Sequence, residues 1–237
     1  MASKAEIVEV PAAPSLPRVV RRALSDFYFN SGRLVPVNLV WGAGAIVIVL
    51  IWFVWPLGAL VLLPLLVFPT AGVFRVAARI VRDETQVSFR DAFATYRAHA
   101  LPTLLLGVVF VAASLILGTN LAVGLTQSEP IGWMLGTFAA WGLFVLWCGA
   151  IVAWPLLVDP NRGDQPVGER LRLAGLLLIA YPVRFALLGA VVALITVVST
   201  VLAAAMFTIS VAFIALIACR YVYPAAERLE RRLGAAR

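Results

Sequence analysis

The stretch LVPVNLVWGAGAIVIVLIWFVWPLGALVLLPLLVFPTAGVF, Leu34 to Phe74, contains no charged residue. A helix needs about 20 apolar residues to cross the roughly 30 Å hydrocarbon core of a bilayer, so this run is long enough to cross twice. Trp55-Pro56-Leu57-Gly58 is its natural break. Proline and glycine punctuate helices, and tryptophan favours the membrane–water interface. The reading gives two spans, 34–54 and 57–78.

The rest of the chain extends the pattern. Of 237 residues, 62% are hydrophobic and only 13% charged, with a mean hydropathy of +0.98. Soluble domains carry about a quarter charged residues, so a polytopic, all-α integral membrane bundle is expected. A third span covers 101–123 behind Pro102, and a fourth covers 131–157 between Trp133 and Trp154. The charge-free run after Arg184 is too long for one span and has no glycine or proline near its middle. Dividing it near Ser199 to Ala204 gives spans 184–201 and 203–221, six in all. Residues 1–17, with Glu6, Glu9, Pro11, Pro14 and Pro17, read as a disordered cytoplasmic tail, and no cleavable signal peptide is expected. Residues 18–224 form the membrane domain and 225–237 a C-terminal cytoplasmic helix.

Charge sets the expected orientation. With six spans, all 19 basic residues fall on one face, while the opposite segment GLTQSEP, Gly124 to Pro130, carries only Glu129. Cytoplasmic loops collect Lys and Arg, so both termini are expected on the cytoplasmic side of the membrane. The net charge of +7 is explained this way rather than by nucleic-acid binding.

Three segments outside the spans have helical patterning. In SFRDAFATYRAHA, the apolar residues Phe89, Ala92, Phe93, Tyr96 and Ala100 share a stripe, and Ser88 with Asp91 resembles a capping box. In DQPVGERLRLAGLL, Pro166 suits the first turn, and Leu171, Ala174 and Leu178 share a stripe. Near the C-terminus, Glu227 is spaced to pair with Arg231. Such segments either lie at the headgroup boundary or dock on a cytoplasmic partner.

PLLVxPxxG occurs twice, at Pro64–Gly72 and Pro155–Gly163, as a true duplication or by chance. Pro64 and Pro69 should bend span two, whereas Asp159-Pro160 reads as the exit of span four. GWMLG, Gly132 to Gly136, permits close helix approach within the chain or in a homo-oligomer.

Little points to chemistry. His99 is the one histidine, with no nucleophile or metal ligand at motif spacing, and Cys148 and Cys219 lie in separate apolar runs. No catalytic residue, metal site or cofactor is expected. No span carries a charge at depth, the usual mark of an ion-coupled carrier. Asn38 is the most conspicuous intramembrane polar group and favours packing over ligand contact. Asp83-Glu84, among Arg79, Arg82 and Arg90, reads as a salt-bridged loop or as a contact patch.

Several stretches together resemble the YesL (DUF624) family: NLVW at Asn38–Trp41, LPLLVFPTAGVFRVAARIVRDE at Leu63–Glu84, and SFRDAFATYRAHALPTLLLG at Ser88–Gly107. The family elements fall on Asn38 and Trp41, on Pro64 with Pro69 and Thr70, on Asp83 and Glu84, and on Phe89, Phe93 and Tyr96. Phe68 stands where the family often has Gly, and His99 where it usually has Asn. The resemblance implies a small multi-span bacterial protein found beside carbohydrate-import systems of the ABC type, and it supplies no activity. The expectation is an accessory or regulatory partner of a sugar ABC-transporter permease. The alternative is a small stand-alone transporter or channel with span two and Asn38 lining its path.

Overall fold

A computed structural model describes residues 14–84, 87–93, 100–127 and 129–235. Among them there are helices and turns and no strand. Helix α1 runs Leu16–Val54, α2 Pro56–Leu62, α3 Val67–Val81, α4 Ala100–Thr126, α5 Pro130–Val158, α6 Val167–Ala180, α7 Pro182–Val201 and α8 Val211–Ala235. Six stretches are long and apolar enough to span a membrane: Leu16–Val54, Pro56–Val81, Ala100–Thr126, Pro130–Val158, Pro182–Val201 and Phe207–Gly234. The expected all-α bundle is therefore what the chain forms.

Proline sits in the first turn of α1, α2, α5 and α7. The N–H it lacks would be unpaired there anyway, and its fixed φ suits the helix. Before Pro56 and Pro182, Trp55 (φ −147°, ψ 83°) and Tyr181 (φ −136°, ψ 54°) leave helical geometry and turn the chain. The turn at Trp55 falls at the break read from the sequence. The α7–α8 connection leaves helical geometry at Leu202 (φ −96°, ψ 70°).

Helix α8 is the centre of the bundle. Ala212, Ala215, Leu216, Ile217, Ala218, Cys219, Val222 and Ala226 are fully buried in it, and α1, α3 and α5 pack around it. Its small side chains let these neighbours approach closely. It continues without a break through Pro224 to Ala235, so the sixth span and the expected C-terminal helix are one helix. Helix α4 is the outermost: of its residues only Gly107 and Gly124 are buried. The core is concentrated toward one end, in Leu34 and Val37, Val73 to Ala78, Val152 to Leu156 and the α8 residues named above. At the other end large apolar residues such as Phe53, Val54, Trp55 and Val201 are exposed.

The α4–α5 hairpin uses the GWMLG glycines. A Cβ at Gly124 would lie 2.5 Å from the Gly136 nitrogen and 2.6 Å from the Gly132 oxygen. The small-residue stripe is therefore occupied within the chain. Both obstructing atoms are backbone and cannot rotate away, so Gly124→Ala is expected to cost about 1–3 kcal/mol, read as a lowered unfolding midpoint in detergent. An unchanged midpoint would mean the hairpin opens without cost.

Helices α2 and α3 are joined by a 3-10 segment, Leu63–Leu66, containing Pro64. A proline removes one helical hydrogen bond, and the tighter turn follows. The second copy of the repeat behaves differently: Pro155 lies inside α5, and Pro160 opens the 3-10 turn Pro160–Arg162 after the helix ends. A π turn, Met206–Ser210, precedes α8. Helix α1 is kinked at Asn30 (φ −114°, ψ 16°), whose side chain donates to the Asp26 carbonyl at 2.9 Å.

Helix α6 buries Arg170, Leu173, Ala174 and Leu177. The expected stripe of Leu171, Ala174 and Leu178 is thus rotated by about one residue, because Arg170 turns inward to backbone carbonyls. Pro166 precedes the helix as its N-cap and does not sit inside its first turn.

Candidate functional site

The helices that carry the two repeat copies meet at the densely packed end. Phe74 lies against Trp154 with ring centroids 6.2 Å apart, and the Arg75 guanidinium donates to the Val158 carbonyl at 2.7 Å. Asp159, whose side chain is fully buried, is the hub. Arg82, one residue past α3, donates to both of its carboxylate oxygens, at 3.2 and 2.7 Å. Arg162 donates to Oδ2 at 3.2 Å, and the Asn161 backbone N–H donates to Oδ1 at 3.1 Å. Bidentate arginine–carboxylate pairs of this kind fix orientation as well as charge.

Helix α8 closes the cluster from the other side. Glu227 accepts from Arg82 at 2.6 Å, and Glu230 accepts from both terminal nitrogens of Arg162. The Arg82 guanidinium lies 4.3 Å from the centre of the Tyr223 ring, a cation–π contact, and the Tyr223 hydroxyl donates to the Pro155 carbonyl at 3.1 Å. Helix α1 is tied in by Asp26 with Arg220. The expected Glu227–Arg231 pair does not form, because Arg82 takes the carboxylate.

Arg170 is buried and spends its donors on carbonyls: Gln165 at 3.0 Å, Leu157 at 2.6 Å and Gly163 at 2.9 Å. With Arg75 it caps the end of α5, where the last carbonyls have no helical partner and the dipole favours cations. Burial lowers the Arg170 pKa. Burial also works against Arg82, but its bonds to Asp159 and Glu227 outweigh this and its pKa ends above the ordinary value. The Glu230 bond likewise raises that of Arg162 against burial.

The loop after α3 is clamped. Asp83 N–H reaches the Ile80 carbonyl and Glu84 N–H the Arg79 carbonyl, both at 3.1 Å, with Asp83 in the left-handed region at φ 55°. This is a Schellman ending with aspartate where glycine is usual. The Arg79 guanidinium bonds Glu84 and also Asp91, the latter at 2.5 Å. Asp91 accepts from Ser88 N–H at 2.6 Å and Ser88 Oγ accepts from Arg90 N–H at 3.3 Å, so the expected capping box is present. Val87 and Ala92 are buried beneath, while Asp83, Phe89 and Phe93 face outward, the two rings 5.1 Å apart edge to face. Asp83→Gly is expected to add up to about 1 kcal/mol by relieving the positive φ, and Asp83→Val to cost about 1–2 kcal/mol. Equal melting temperatures for the two variants would contradict this.

The other candidates sit elsewhere, in the spans. Asn38 is fully buried. Its Nδ2 donates to the Phe207 carbonyl at 2.8 Å and its Oδ1 accepts from Ala212 N–H at 2.8 Å. Those two groups are five residues apart, so the carboxamide is inserted where a π-helical bond would run. Gly42, one turn along α1, makes room: a Cβ there would lie 2.8 Å from the same Phe207 oxygen. Trp41 Nε1–H donates to Thr70 Oγ1 at 3.0 Å, and that hydroxyl donates to the Leu66 carbonyl at 2.7 Å, beside Pro69 and the 3-10 segment of Pro64. The structure therefore brings Asn38, Trp41, Pro64, Pro69 and Thr70 into one zone and Asp83, Glu84, Phe89 and Phe93 into another. Tyr96 and His99 lie outside the described residues, as do residues 1–13 of the expected tail.

Asp159, Arg82, Arg162 and Arg170 were not singled out as site residues from the sequence. The available signal was the Asp-Pro step at the end of a span, with Arg162 two residues beyond it and Arg170 in the helix that follows. Thr137 and Thr196 bond their own preceding helical turns, at Trp133 and Val192. Among the described residues no group of three or more His, Cys, Asp or Glu is placed to hold a metal ion. Compared with protein-family models, with curated proteins and with solved structures, the chain matches none.

Proposed function

We propose that the chain is an accessory or regulatory protein of a bacterial plasma membrane, with both termini and the charged end in the cytoplasm, and that it performs no chemistry of its own. The observation that carries this reading is the clamped loop. Arg79 holds Glu84 and Asp91 together, and Asp83, Phe89 and Phe93 face outward around this paired cluster. Exposed aromatic residues on a fixed scaffold are suited to binding. The collection of arginines at this end supports a cytoplasmic placement. The motif resemblance noted in the sequence supports a carbohydrate ABC-import permease as the partner class. Pro14 and Glu227 line one cleft with Arg82, so both ends of the described chain lie at this same end of the bundle.

A photo-crosslinking amino acid at position 89, in the full chain in bacterial membranes, tests it. A permease crosslinked there, with sugar uptake altered on deletion of the chain, is the expected result. Unchanged uptake and no crosslinked protein would refute the assignment. A second reading, a stand-alone transporter or channel, is favoured by the two irregular turns that flank Asn38, since broken helices often mark transport sites. Solute flux through liposomes holding only this chain would replace the first reading with the second.

A further inference from the structure

Helix α1 is too long for a simple span. Its 39 residues extend about 58 Å at 1.5 Å per residue, against a hydrocarbon core of roughly 30 Å. The charge-free part begins at Leu34, so the segment from Leu16 to Arg33 lies beyond the core. One side of this segment is anchored. Val19 and Ala23 are buried, Phe27 meets Phe213 edge to face at 6.3 Å, and Asp26 bonds Arg220. The opposite face is thereby fixed in direction.

That face combines two residue types. Arg18, Arg21 and Arg33 are exposed on it, and Arg22 is exposed at its edge, where it borders the cleft beside Glu227. Between them lie Leu24, Tyr28 and Phe29, exposed by 60%, 75% and 78%. The segment's one acid, Asp26, is on the inner side and already paired with Arg220. Phe29 and Tyr28 stand about 7–9 Å beyond Leu34 along the axis, close to the depth of a headgroup layer roughly 5–8 Å thick. The kink at Asn30 lets the segment incline toward the membrane plane. Arginines interleaved with aromatic and aliphatic residues suit that layer, where the rings reach the acyl boundary and guanidinium groups meet phosphate.

We infer that the outer face of residues 18–33 is a binding surface for anionic phospholipid headgroups, holding this half of α1 in the headgroup layer. It rests on the spans crossing a bilayer and not on any protein partner. The charge is complementary to an anionic leaflet and not to a second copy, whose matching face would be equally basic.

The test uses the full chain in lipid nanodiscs. Incorporation into the discs, read first by size, reports on the spans alone. An environment-sensitive probe is placed at Ser25→Cys, on the same exposed face, the native Cys148 and Cys219 both being buried. Quenching by a headgroup-labelled lipid is compared in phosphatidylcholine and in phosphatidylcholine mixed with phosphatidylglycerol. Several-fold stronger quenching in the anionic discs is expected, lost at high salt. Each arginine near an anionic surface is worth roughly fivefold in partitioning, so Arg18→Gln with Arg21→Gln should abolish the extra quenching in the anionic discs. Equal quenching in the two lipids would overturn the assignment, showing apolar contact without charge recognition. So would absence of quenching, whether the face is solvated or Ser25→Cys chains crosslink as dimers.

Discussion

Replacing Asp159 with alanine is expected to destabilise the protein by about 3–5 kcal/mol, the cost of removing one partner from a buried ion network. Arg82 and Arg162 would both lose their shared carboxylate, and the turn at Asn161 would lose its cap. The two guanidiniums are mostly buried, with side-chain exposures of 17% and 6%, so water cannot easily replace the lost bonds. The measurement is the unfolding midpoint in detergent. Adding Arg82→Met to Asp159→Ala should return part of the loss, because it removes a buried guanidinium left with only the half-exposed Glu227. A loss below about 1 kcal/mol, or a double variant worse than the sum of its parts, would show that the aspartate is not the hub.

The second large effect is expected at Asn38. Asn38→Leu keeps the size and removes both bonds, leaving the Phe207 carbonyl and the Ala212 N–H without the carboxamide. Each unsatisfied backbone group costs about 1–3 kcal/mol, giving roughly 2–6 kcal/mol, and apolar surroundings offer little water in compensation. The competing outcome is specific. If the π turn closes so that Ala212 bonds Phe207 directly, the loss falls well below this range, and hydrogen exchange at Ala212 will remain slow.

The spans could be read because hydrocarbon demands long apolar runs, and no tertiary detail alters that demand. The capping box at Ser88 was readable for a similar reason: its partners are three residues apart. What escaped was long-range choice. Nothing local says that Arg82 selects Asp159, 77 positions away, or takes Glu227 from its helical neighbour Arg231. Arg170 misled the stripe of α6 because an arginine among leucines is normally assigned to the wet side, whereas here it caps α5. Asn38 was visible as a packing group, but MFTIS carries no cue for a π turn, so the backbone that needed it was not.

The central place of α8 has a consequence for how the protein is made. A ribosome delivers the chain from its N-terminus, so the helix that fills the middle emerges only after the five spans that surround it. Until then Asp159 has no Tyr223 or Glu227 wall, Asp26 has no Arg220, and the inner faces of α1, α3 and α5 surround a vacancy one helix wide. The nascent bundle must keep that slot open, filled by lipid or by the insertion machinery, for most of its synthesis. Chains halted before Val211 are expected to be cleared by membrane proteases much faster than full-length ones in a pulse-chase, and equal lifetimes would show that the outer helices hold together unaided. Insertion of α8 is then the moment at which the cell can tell a closed bundle from an open one.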